Sequence, residues 1–171
     1  MLSIAFKEWA VICEALASGR QSLILRKGGI AEDGGVFRPE HGEFLLYPTF
    51  FHEHRVGVKP EFVPLLEHAE SHKPDAGTIR FTHFVRVTGV QHITDLGAAL
   101  ALDSFHAWTP EVVKQRFHYR TPGLFALSVR VFRLAEPQVR AERPEYAGCK
   151  TWVELDRPVS IENAVPVGET T

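Results

Sequence analysis

Apolar and polar residues alternate with a period of two in two long stretches of the chain. From Thr78 to His92, Ile79, Phe81, Val85 and Val87 point one way, and Arg80, Thr82, Arg86 and Thr88 point the other. From Leu124 to Leu134, Phe125, Leu127, Val129 and Val131 alternate with Ala126, Ser128, Arg130 and Phe132. Both patterns predict half-exposed strands, and Gly89 marks a bulge or bend that lets the first one curl. Three shorter strands are predicted. Gln21–Lys27 ends at Gly28-Gly29, Phe44–Tyr47 is closed by Pro48, and Thr151–Leu155 contains Trp152.

Other stretches repeat at helical spacing. Ala5, Trp9, Ile12, Cys13 and Leu16 predict an amphipathic N-terminal helix over Ser3–Ser18, stopped by Gly19. Phe62, Leu65, Leu66 and Ala69 predict a helix over Pro60–Ser71. Thr109-Pro110-Glu111 reads as a cap, a first-turn proline and a first-turn acid, opening a helix that reaches Tyr119. Asp95–Leu102 reads as a short helix, and Thr49 as the cap of a turn through His54. Ala31–Gly42 is expected to be a loop, and Glu136–Tyr146, bounded by Pro137 and Pro144, an ordered loop or arm. The expected class is α+β: a small mixed β-barrel with an N-terminal helix and further helices packed around it. Residues 1–157 are expected to form one globular domain, and 158–171 a polar, frayed tail.

Composition narrows the function. With 44% hydrophobic residues the chain can bury a full core. A net charge of -2 excludes a surface coated in positive charge. Between His106 and Arg157, however, nine bases stand against six acids, a local excess that suits an anionic partner. Two cysteines, Cys13 and Cys149, are too few for a disulfide framework and point to a reducing cytoplasm. No apolar run approaches the roughly 20 residues needed to span a bilayer, and Met1–Glu8 has no signal-peptide pattern, so no membrane partner is expected. The glycine-lysine pattern of a nucleotide loop, a dinucleotide fingerprint and a Gly-X-Ser-X-Gly elbow are all missing. No cofactor is expected.

Candidate chemistry collects between Leu23 and His54. If the first two short strands pair, Lys27 and Thr49 meet over Gly28-Gly29. Arg26 and Lys27, with the glycine amides, would then hold an anion. Tyr47 or Phe37 would supply an aromatic wall, and Thr49, His41 and His52 would hydrogen-bond the ligand. Glu32 is the acidic neighbour; it would either pair with Lys27 in a turn or assist catalysis. A second set, Arg116, Phe117, His118, Tyr119, Arg120, Arg130 and Arg133, interleaves cations with rings, as single-stranded nucleic-acid surfaces do. Within it Arg116, Tyr119 and Arg120 form the outer wall of the same pocket. His41, His52 and His54 raise a zinc site, but a helical turn after Thr49 makes His52 and His54 diverge, and no metal is assigned.

Several runs resemble a known bacterial family. These are Lys7-Glu8-Trp9-Ala10-Val11, Leu25-Arg26-Lys27-Gly28-Gly29-Ile30, Phe44-Leu45-Leu46-Tyr47-Pro48-Thr49 with His52, Arg116-Phe117 with Tyr119-Arg120, and Gly148-Cys149-Lys150 with Trp152-Val153-Glu154-Leu155. The family is the domain of unknown function numbered eighteen hundred and two. Some of its members resemble partners of Mrr-like restriction endonuclease domains, which implies a restriction-system protein as partner. A looser resemblance links the chain to the PUA, ASCH and EVE group of small barrels. That likeness implies binding of RNA or modified bases, and in a few ASCH members hydrolysis of modified nucleosides. Three readings follow: a nucleic-acid-linked or nucleotide-binding module with an anion pocket, a hydrolase in which Lys27 or His52 is the base with Glu32 as its partner, or an interaction subunit of a defence system.

Overall fold

The chain opens on a strand. β1 (Leu2–Trp9) precedes α1 (Ala10–Ala17), so the helix expected over Ser3–Ser18 occupies only its second half. The cause is burial on both sides. β1 lies between two strands, and its apolar residues serve both faces of the sheet: Phe6 joins one hydrophobic cluster and Ala5 the other. Doubly buried strands lose their alternation and mimic helical spacing. The structure is a computed structural model and describes residues 1–28, 30–34, 36–51, 54–148 and 150–168.

The elements that follow are β2 (Leu23–Arg26), β3 (Ile30–Asp33), β4 (Val36–Pro39), β5 (Glu43–Thr49), α2 (His54–Gly57) and α3 (Val63–Ser71). Next come β6 (Thr78–Ile93), α4 (Leu96–Leu100), α5 (Pro110–His118), β7 (Leu124–Ala141), β8 (Trp152–Val159) and β9 (Val165–Pro166). Short 3-10 turns occur at Pro60–Phe62, Asp103–Phe105 and Pro144–Tyr146. The seven-stranded sheet runs β2-β7-β6-β5-β1-β8, with β9 paired to β7. It is mixed, because β1 pairs with β5 in parallel while the other ladders are antiparallel. Bulges at Phe81/His83 and Val87/Gly89 bend the long β6–β7 ribbon. The sheet curls but stays mostly open, and its edges are β2 and β8.

Three local expectations change. Residues expected as a loop over Ala31–Gly42 include the β3–β4 hairpin, whose Phe37 packs on Phe125 and His92. β7 runs on to Ala141 through Pro137, because its partner β6 extends as far in the other direction. The segment after Arg157, expected as a tail, stays in the sheet to Val159 and returns as β9; the amide of Val167 donates to Val131 O (2.9 Å). Two helix caps read from the sequence are formed, whereas Thr49 ends β5 instead of capping a turn and the helix expected from Pro60 begins at Val63 after a 3-10 turn. Thr109 Oγ1 accepts from Val112 N at the head of α5, and Asp95 accepts from Ala98 N at the head of α4.

A loop following α4 carries a buried histidine. His106 is 1% exposed, and among the described residues neither ring nitrogen has a hydrogen-bond partner. Burial first, and then Lys59, push its pKa down to about 4 from an ordinary 6.5; Asp103 opposes this and Arg116 adds to it. The imidazole is therefore neutral in the fold and protonates more readily once unfolded. Its contribution is fully present above pH 6.5 and is lost as pH falls toward 4. Thermal denaturation between pH 7 and 4 should show a loss on the order of 2–3 kcal/mol from this group. The fall should be shallower in His106→Asn; identical slopes for the two proteins would contradict it.

Candidate ligand site at the seam of the sheet

Alternation along β1 turns Phe6 and Glu8 to one face. Glu8 is 3% exposed. Its Oε1 accepts the Trp9 N–H (2.8 Å), and its Oε2 has no hydrogen-bond partner among the described residues. β5 steadies this strand end, because Thr49 Oγ1 donates to Glu8 O (3.0 Å) where Trp9 and Thr49 are in register.

Arg26, the last residue of β2, reaches across the open side of the sheet. Its guanidinium lies 4.6 Å from the centre of the Phe6 ring, and Nη2 donates to Thr151 Oγ1 (2.5 Å), just before β8. The two edge strands thus meet through one side chain. Trp152 begins β8 opposite Phe6, with the rings edge to face at 5.0 Å. Arg26 Nε and Trp152 Nε1 are buried without partners among the described residues.

Arg116 comes from α5. Its guanidinium sits 4.7 Å from the Trp108 ring centre and 5.3 Å from that of Trp9, and Nη1 donates to Leu25 O (3.2 Å). Trp9 is also held by His54, stacked at 4.0 Å and 13°. Gly57 allows this packing: a Cβ there would lie 2.6 Å from the Trp9 ring.

The electrostatics are unusual. Two cations surround one carboxylate, yet among the described residues no ion pair within 4.0 Å joins Glu8 to Arg26 or Arg116. Burial raises the Glu8 pKa, against the pull of Arg116, Arg26 and the Trp9 amide. Burial also lowers both arginines, although a guanidinium stays charged. A buried charge without a close partner is costly, and such groups concentrate where a ligand completes them.

The sequence-predicted site is only partly assembled. Arg26 and Arg116 meet around Glu8, and His41 packs edge-on to Trp152 at 4.8 Å. Thr49 touches the same strand end through Glu8 O. The premise that β2 and β5 pair is overturned: β2 pairs with β7, and three strands separate it from β1. Lys27 faces away and donates to the carbonyls of Phe117, Gly123 and Thr121, closing the end of α5. An ammonium with its three protons so placed offers no lone pair, which removes Lys27 as a base. Gly28 supports no close approach, since an added Cβ would meet nothing within 4 Å. Tyr119 and Arg120 stack on each other at 5.1 Å in the exposed loop after α5. Gly29, His52 and the side chain of Glu32 lie outside the described residues.

Tyr47 belongs to the opposite face. It donates to Glu142 Oε1 (3.1 Å) and lines a separate cavity of about 450 Å³ with Lys7, Thr49, Lys73 and Arg80. Phe37 and His54 are likewise occupied by ring contacts. Sequence reasoning missed Glu8, Trp108 and Thr151. Glu8 sat inside the expected helix, where a polar residue reads as solvent-facing; only a strand assignment aligns it with Phe6.

Replacing Glu8 tests the electrostatics. Because the folded pKa is raised, the ionised carboxylate opposes folding above the ordinary value of 4.5. Glu8→Gln keeps the acceptor for the Trp9 amide and removes the charge. Thermal denaturation should show Glu8→Gln as stable as wild type or about 1 kcal/mol more stable at pH 7, the difference vanishing below pH 4.5. A variant less stable at pH 7 would mean that the charge is well paired.

The comparisons with known proteins agree with this architecture. The crystal structure of ASCH from Zymomonas mobilis superposes with a TM-score of 0.52 at 11% identity, over 90% of this chain and 87% of that one. A mutant of the same Zymomonas mobilis protein gives 0.43 at 11% identity, over 82% and 88%. At this identity the likeness concerns fold, and it shows the ASCH type of α+β, PUA-like architecture that the sequence implied. No curated protein matches the chain. No helix among the described residues is long and apolar enough to cross a membrane, and no group of three metal-ligating side chains occurs among them. A family model matches residues 5–171, and the chain belongs to that family, the domain of unknown function DUF1802.

Proposed function

We propose that the chain is a binding module for a nucleic-acid-linked ligand, a base or nucleotide, taken up at the seam between β2 and β8. The observation that carries this reading is the buried set Glu8, Arg26 and Arg116. Two guanidiniums attract an anionic or carbonyl-rich group, and one orphaned carboxylate oxygen accepts a hydrogen bond from it. Phe6, Trp9, Trp108 and Trp152 surround these charges with rings, the combination that holds planar, charged molecules. The ASCH type of fold is compatible with that use. In this reading Arg26 keeps the anion-holding role expected of it, Arg116 moves from the expected outer wall into the site, and Lys27, expected to share the anion, holds the end of α5 instead.

A second reading, hydrolysis of a modified nucleoside, rests on Glu8. A buried carboxyl with a raised pKa and a free oxygen is suited to carry a proton. In that case product formation, followed chromatographically, should disappear in Glu8→Gln.

Binding can be followed by tryptophan fluorescence with a panel of nucleosides and nucleotides. At least one should bind, and Arg26→Ala and Arg116→Ala, shown folded by circular dichroism, should lose about 1.5–3 kcal/mol of affinity. Wild-type affinity in both variants, or no binding anywhere in the panel, would reject the site.

A further inference from the structure

Beyond the seam lie two adjoining cavities, of about 450 and 320 Å³, with Pro48, Phe50, Pro74 and Arg80 lining both. The cations of the larger one come from separate elements. Lys7 lies on β1, Arg80 on β6, and Lys73 follows α3. Arg80 Nη1 donates to the His72 carbonyl (3.2 Å), which places its guanidinium beside the backbone of Lys73. Lys73 Nζ lies 4.9 Å from the centre of the Phe50 ring. Among the described residues neither Lys73 nor Arg80 forms an ion pair. Two acids, Asp75 and Glu142, stand against the three cations Lys7, Lys73 and Arg80, a surplus of one positive charge. The Tyr47 hydroxyl engages Glu142 (3.1 Å). The wall is fixed: Thr78 N and Oγ1 both donate to Asp75 O (3.0 and 2.6 Å), and Glu142 N donates to Gly77 O (2.8 Å). Phe51, also lining the larger cavity, leaves its ring 64% exposed. The smaller cavity is edged by His68 and His72, exposed imidazoles with ring centres 4.2 Å apart.

We propose that the two cavities are consecutive subsites for single-stranded nucleic acid, with Lys73 and Arg80 holding its phosphodiesters and Phe51 stacking a base. Charge, shape and planarity each follow from the lining. A phosphodiester carries one negative charge, which balances the surplus of the larger cavity. Two cavities meeting at Phe50 and Arg80 suit an occupant whose unit repeats, and a strand presents one phosphate per nucleotide. Every base offers a flat face to a ring such as Phe51, so stacking there tolerates any sequence, while contacts to the backbone add affinity that salt weakens. Asp75 in the larger cavity and Glu14 in the smaller accept hydrogen bonds. Base amino groups supply them, and the carboxylates of an acidic peptide do not. The inference goes beyond the seam site and rests on none of its charged residues, Glu8, Arg26 and Arg116.

Fluorescence anisotropy of the full chain, with labelled oligouridylate and oligothymidylate about ten nucleotides long, tests this. At least one strand should bind, and more weakly as salt rises; which one binds tells RNA from DNA. Lys73 and Phe51 are exposed, so their replacement leaves the core intact. Lys73→Gln should weaken binding roughly 3- to 10-fold and reduce the slope of log affinity against log salt by about 0.7. Phe51→Ala should weaken it roughly 5-fold or more with the slope unchanged. Lys114→Gln, which removes an exposed charge from α5, should bind as wild type does. Binding indifferent to both Lys73→Gln and Phe51→Ala, or weakened as much by Lys114→Gln, overturns the subsites. So does capture of a labelled oligoglutamate peptide in place of the oligonucleotides, or no binding at low salt. Oligonucleotide binding that depends on Lys73 while the nucleotide panel fails rejects the seam alone; nucleotide binding that depends on Arg26 and Arg116 without oligonucleotide binding rejects the subsites alone.

Discussion

One guanidinium joins the open edges of this sheet. Arg26 leaves the end of β2, covers Phe6 on β1 and donates to Thr151 at the threshold of β8. In the ordering of the strands, β2 and β8 are the farthest apart, so a single side chain turns a curled ribbon toward a barrel. The site follows from that closure. Pairing of β1 with β8 sets Trp152 beside Phe6 and Glu8, and the β2 edge brings Arg26 to them, with Arg116 bound to the Leu25 carbonyl of the same edge.

The cluster is an expense in stability that packing alone does not explain. Buried charges could be replaced by apolar side chains, often without loss. Here a carboxylate stays buried with one oxygen unpaired, between two cations too distant to form ion pairs with it. The surroundings, by contrast, are tightly organised. His54 and Gly57 fix Trp9, the Leu25 carbonyl fixes Arg116, and Lys27 fixes the end of α5. Rigid walls around unsatisfied polar atoms are the arrangement expected of a preorganised ligand site.

Much of the architecture was legible in the residue pattern. The half-exposed strands β6 and β7 announce themselves by alternation, and α5 by Thr109-Pro110-Glu111, because both signals are local. β1 was hidden by its burial on both faces, which erased the alternation and imitated a helix. That error concealed Glu8, since the residue becomes interesting only when it shares a strand face with Phe6. The site was half legible for a related reason. Arg26 and Arg116 stand out as cations beside apolar runs, but which strand β2 pairs with is decided by long-range packing. Pairing β2 with β5 placed Lys27 in the site; pairing it with β7 places Lys27 under the end of α5.

The ionisation of Glu8 bears on all of this most directly. A side-chain carboxyl titration of Glu8 by carbon-13 NMR, in the ligand-free protein, reports whether the carboxylate is buried and unpaired. A midpoint above the ordinary 4.5 is the result expected from its surroundings. A midpoint at or below 4.5 would mean that Arg26 and Arg116 already satisfy the charge, and would contradict a site that waits for a ligand to do so.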